Sequence, residues 1–68
     1  MGSFEIRVVS SAALGDVILT RLPLGLFLTR EARCWVAVDN SDGNAWTEKF
    51  RSKRKAKRWL RREFEVCQ

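Results

Sequence analysis

The stretch CWVAVDNSDGNAWTEKFRSKRKAKRWLRREF, residues 34–64, decides how this chain folds. Its opening alternates, with Cys34, Val36 and Val38 separated by Trp35 and Ala37, the two-residue period of a β-strand. Asp39, Asn40, Ser41, Asp42, Gly43 and Asn44 then supply dense turn chemistry, in which Asp42-Gly43 accepts positive φ. Alternation resumes through Trp46, Glu48 and Phe50. Two strands rich in β-branched and aromatic residues, joined by such a turn, predict a β-hairpin.

The period then changes. Ser52 is a natural N-cap, and Ala56, Trp59, Leu60 and Phe64 recur at three- and four-residue spacing among charged neighbours. This spacing predicts an amphipathic helix over about residues 53–65. Its apolar stripe must rest on something, and the face of the preceding sheet is the large apolar surface to hand.

Toward the amino-terminal end the pattern is looser. Phe4, Ile6 and Val8 alternate with Glu5 and Arg7, which predicts a first strand with one buried face. Residues 10–15 are small and turn-prone, with room for a short helical turn at residues 11–14, and residues 17–22 read as a second β-rich run. Pro23 and Gly25 interrupt it, and residues 26–30 read as a third extended piece of weak alternation. The expected architecture is a single α+β domain over residues 1–68. Its β-rich part, residues 4–50, forms a small antiparallel β-sheet of three to five strands, with one C-terminal helix packed on one face.

A chain of 68 residues buries only about 60% of the surface its unfolded form exposes, so one core is the limit. Three Trp and four Phe supply large apolar loads, which favours an ordered domain over a disordered peptide. The apolar run over residues 17–28 contains Arg21, Pro23 and Gly25 and is too short to span a bilayer. The amino-terminal end lacks the basic region of a signal peptide, and the expected location is the cytoplasm.

Catalytic and metal chemistry have little to work with. There is no His and no Tyr, and Cys34 and Cys67 lie far apart, so neither a zinc knuckle nor a Cys/His nucleophile can be assembled from this chain. Both cysteines are expected as reduced thiols, Cys34 in the core. Asp39 and Asp42 fit turn formation, and the other ligands of a calcium loop are missing. The expectation is a protein that is not an enzyme and uses neither metal nor cofactor.

Charge is divided unevenly along the chain. Residues 1–48 carry four basic and six acidic side chains, a net of −2, whereas residues 49–68 carry nine basic and two acidic, a net of +7. On a helical wheel Arg54, Lys55, Lys57, Arg58, Arg61 and Arg62 cover the whole face left by the apolar stripe. Solvated helix faces usually mix signs so that neighbours one turn apart attract, and this one does not. Lys53, Arg54 and Lys55 also sit in the first turn, where the helix dipole disfavours each cation by about 0.3–1 kcal/mol at low salt. A local cost without visible compensation points to a binding surface for an anion.

Closely spaced Lys and Arg neutralise phosphates and release condensed counterions, so the expected partner is nucleic acid, DNA ahead of RNA. Such contacts position without reading sequence, and Arg33, Lys49, Asn40, Asn44 and Trp46 on or beside the hairpin are the candidates for base edges or stacking. Trp59, Phe64 and Phe50 are assigned to the core, and Trp35 and Trp46, on neighbouring strands, to cross-strand packing ahead of base stacking. The alternatives are an acidic protein partner for the basic helix, an anionic membrane surface, or a solvated face with no binding role. Monomer and homodimer both remain open, because residues 22–28 offer more apolar side chains than a small core covers.

Residues 33–64 resemble the three-stranded-sheet-plus-helix DNA-binding modules, namely the arm-type domains of phage tyrosine integrases and the plant ethylene-response domains. The resemblance lies in the strand Trp35-Val36-Ala37-Val38, the Asp42-Gly43 turn, Phe50 closing the next strand, Ser52 as cap, and Ala56 with Trp59-Leu60 on the helix. It implies that the exposed sheet face enters the major groove, with Arg33, Lys49 and Trp46 as contacts, and a phage-derived or mobile-element context. The crowding of cations onto the helix, beside a hairpin carrying Asp39, Asp42 and Glu48, points instead to the helix.

Overall fold

The computed structural model describes residues 4–61 and arranges them as β-α-β-β-β-α. The elements are β1 (Ile6–Val8), α1 (Ser11–Thr20), β2 (Gly25–Glu31), β3 (Cys34–Asn40), β4 (Trp46–Phe50) and α2 (Lys53–Arg61). They build one four-stranded sheet in the order β1-β2-β3-β4. β2, β3 and β4 are antiparallel neighbours, but β1 pairs parallel to β2, with Ile6 opposite Leu26 and Val8 opposite Leu28. The sheet is therefore mixed, not wholly antiparallel as expected. A parallel pair of neighbours needs a crossover connection, and α1 supplies it.

The β-rich run expected over residues 17–22 is helix as far as Thr20. Val, Ile and Thr disfavour helix by only a few tenths of a kcal/mol each, and local and tertiary terms outweigh that. Ser10 caps the start, its Oγ accepting from Ala13 N at 3.1 Å. Arg21, in the left-handed region at φ 63°, closes the end by donating its N–H to the Val17 carbonyl at 2.7 Å. Leu14 and Val17, three residues apart, bury one face of the helix.

Strand alternation decides which helix covers which face. Phe27, Val36 and Val38 cluster with Leu14 and Val17 of α1, whereas Leu26, Leu28 and Ala37 cluster with Ala56 and Leu60 of α2. Successive strand residues point to opposite faces, so the two helices lie on opposite sides of the sheet. The second helical layer was not foreseen. It explains the weak alternation of residues 26–30, since a strand covered on both faces reads as a continuous apolar run.

The hairpin forms as its residues predict. Gly43 takes φ 85°, and the other positive φ in the loop belongs to Ala45, at 51°. The Asp39 carboxylate accepts from Ser41 N at 3.0 Å and the Asp42 carboxylate from Asn44 N at 3.0 Å, two turns closed by aspartate. Ser52 then caps α2, its Oγ accepting from Lys55 N at 3.1 Å. The helix expected as far as residue 65 is seen as far as Arg61, and the rest of that span lies outside the described residues.

Candidate nucleic-acid interface

α2 packs on one face of the sheet and leaves most of its cations exposed. Ala56 and Leu60 are buried against β2 and β3, which fixes the helix about its axis. Lys53, Arg54, Lys55, Arg58 and Arg61 are exposed and Lys57 is half-buried. Lys57 and Arg61 border a depression shared with Phe4, Glu5, Ile6 and Val8, where an acid is already present. Lys55 and Arg58 border a different cleft, on the side of β4, with Phe50 and Trp59. Among the described residues no ion pair engages Arg54, Lys55 or Arg58. Of the predicted helix cations, Arg62 lies outside the described residues, as does Phe64 of the predicted apolar stripe.

The register gathers further groups at the end of the sheet where α2 begins. Arg30 pairs with Trp35, and Trp35 with Phe50, so three side chains from three strands form a row on the α2 face. The Arg30 guanidinium lies 5.4 Å from the centre of the Trp35 ring system and the Lys53 ammonium 5.3 Å, both within cation–π range. Phe50 in turn meets Trp59, with ring centroids 5.8 Å apart and planes inclined at 46°. The β2–β3 turn, with exposed Arg33, sits at this same end. The result is a line of aromatic rings bordered by cations.

The remaining candidates are dispersed. Lys49 pairs with Val36 and thus stands on the α1 side of the sheet, whereas Trp46 pairs with Asp39 on the α2 side at the opposite end of the strand. Trp46 is exposed and its indole N–H donates to the Asp42 carboxylate at 3.4 Å, whereas Trp35 stands opposite Phe50 on the neighbouring strand, so the expected cross-strand packing is seen at Trp35. Asn40 is wholly buried, with both amide hydrogens and its carbonyl engaged inside the protein, and is removed as a contact. Asn44 is exposed.

Phe50 and Trp59, both assigned to the core, pack against the cluster of Leu26, Leu28, Ala37, Ala56 and Leu60 and also line the cleft on the side of β4. They are only partly buried. Lys55, Arg58 and Trp59, at three- and four-residue spacing, were a legible sign that one helix face carries both cations and a ring. What the spacing did not reveal is that Phe50 stands beside them.

The Asp42 carboxyl is held below its ordinary 3.8 by hydrogen bonds from the Asn44 backbone and side chain and, less strongly, from Trp46. Among the described residues no cluster of three Cys, Asp or Glu is placed to hold a metal ion, and no helix is long and apolar enough to cross a membrane. No family model, curated protein or solved structure matches the chain.

Proposed function

We propose that this protein binds nucleic acid in the cytoplasm through α2 and the aromatic row beside it, with phosphates held by Arg54, Lys55, Arg58 and Lys53. The observation that carries the reading is the exposed set Arg54, Lys55 and Arg58, with no carboxylate paired to any of them among the described residues. Such a set gains by displacing condensed counterions from a phosphate backbone, and the gain weakens as salt rises.

The helix is favoured over the sheet as the contact surface. α1 covers β2 and β3 on the face away from α2, where Phe27, Val36 and Val38 are buried. Among the described residues Thr47 and Lys49 of β4 and Arg7 of β1, all exposed, stand clear of the buried cluster on that face. Inserting the sheet into a major groove, as the integrase and ethylene-response resemblance implies, would require that covered face. On the other face α2 itself is the outermost element.

The test is binding of a mixed-sequence DNA duplex and an RNA hairpin to the wild type and to the double variant Arg54→Glu/Arg58→Glu. The variant is expected to lose binding to both while its urea midpoint is essentially unchanged, because both side chains are exposed. Unchanged affinity in the variant overturns the proposal. Absence of wild-type binding to either nucleic acid turns the reading to an acidic protein partner for the same cations.

A further inference from the structure

We infer that the cleft between β4 and α2 receives an unpaired nucleobase, which makes single-stranded nucleic acid the preferred form of the ligand; this rests on the nucleic-acid reading above. The cleft is open to solvent, encloses about 410 Å³, and is lined by Phe50, Trp59, Lys55 and Arg58. That volume falls within the range of sites that hold flat small-molecule groups. Phe50 and Trp59 already touch, so no base passes between them. Inclined at 46°, they form an angled floor on which a base lies flat against one ring with its edge toward the other.

Two features of the walls select the occupant. An apolar floor alone would suit any hydrophobic group, but Lys55 and Arg58 at its margin are exposed and without ionic partners among the described residues. A nucleotide in a strand offers what this pairing requires, a π-face for the rings and phosphates on either side for the cations. In a duplex the base faces are stacked on their neighbours, so a floor of this kind can be used only by a base that is unstacked and unpaired. The neighbouring ring of Trp35, flanked by Arg30 and Lys53, continues the same chemistry along the sheet end and gives the strand a direction to follow.

The experiment compares four ligands on the full chain: a twelve-nucleotide oligo(dT), an abasic strand of the same length, a DNA duplex, and free thymidine monophosphate. Oligo(dT) is expected to bind about ten- to hundredfold more tightly than the abasic strand, the range that one or two stacked bases confer. The indole N–H resonance of Trp59 should shift with oligo(dT) and stay still with the abasic strand. Trp59→Leu should lower oligo(dT) to the abasic level and leave abasic affinity unchanged. The unmutated indole signal decides the matter if that variant is unstable. Equal binding of oligo(dT) and the abasic strand, or tighter binding of duplex than of oligo(dT), overturns the inference. If Arg54→Glu/Arg58→Glu still abolishes binding in that case, the phosphate reading survives. Saturation of the Trp59 shift by thymidine monophosphate at the same concentration as oligo(dT) overturns the assignment to a strand. Binding of none of the nucleic acids sinks both.

Discussion

The Asn40 side chain donates to the Pro23 carbonyl at 2.8 Å, which ties the end of β3 to the loop that leaves α1. The same amide donates to the Arg21 carbonyl at 2.9 Å, and its oxygen accepts from Ala45 N at 3.0 Å. One side chain, fully buried, therefore joins the crossover loop to the hairpin loop. Asn40→Ala leaves those groups without their partner and should cost about 2–4 kcal/mol in urea unfolding. Asn40→Asp separates donor from acceptor roles: the charged form still accepts from Ala45 but faces two carbonyls. Burial raises the carboxyl of that variant, so its stability should be greatest at low pH and fall as pH rises. A flat pH profile for the variant, relative to wild type, contradicts this account.

Leu60 and Leu19 offer a controlled contrast on the two helices. Leu60 is buried on α2 against the sheet, whereas Leu19 on α1 is 80% exposed. Leu60→Ala should destabilise by about 2–5 kcal/mol, through lost burial and the cavity left behind. Leu19→Ala should change stability by no more than about 0.5 kcal/mol. Chemical denaturation of both variants checks this, and comparable losses would mean that Leu19 is covered in solution.

Arg21 occupies a left-handed position that most side chains resist. Glycine accepts it freely and is the usual residue at a helix end of this kind. Arg21→Gly should raise stability by up to about 1 kcal/mol, a rise in melting temperature readable by circular dichroism. The gain is limited by the greater freedom of glycine in the unfolded chain and by loss of the Arg21 side-chain bond to the Ile18 carbonyl.

Asp42 links the hairpin to pH. Its carboxyl is held below its ordinary value by Asn44 and Trp46. A depressed value in the folded state means that the carboxylate favours the fold above pH 3.8, and that this contribution is lost as pH falls below 3.8 through the folded value. Titration from neutral to strongly acid pH should move the Trp46 indole N–H signal and loosen the loop locally. Asp42→Asn should abolish that movement.

Arg54 is exposed in the first turn of α2, outside both clefts that flank the helix. If it meets a phosphate, Arg54→Ala should reduce the slope of log K against log salt for duplex DNA by about one and weaken all sequences alike. An unchanged slope would place Arg54 outside the contact.

The hairpin and α2 were legible because their signals are local. Asp39, Asp42 and Gly43 set the turn within a few bonds, Ser52 caps its own helix, and Ala56, Trp59 and Leu60 mark a face by spacing alone. The cation set was equally plain, since charge is a property of composition. Residues 17–20 misled because Val, Ile, Leu and Thr suit either a strand or a helix. The choice fell to a parallel β1–β2 pairing and to the burial of Leu14 and Val17.

What the sequence by itself determined is a basic helix following a hairpin, because both depend on neighbours within one or two turns of chain. What only the tertiary structure decided is where the flanking groups go. Packing turned Asn40 inward as a clamp, put Lys49 and Trp46 on opposite faces of one strand, and brought Phe50 of β4 beside Trp59 of α2. Such contacts depend on sheet register and on the angle at which a helix settles on it, both set by the whole core at once.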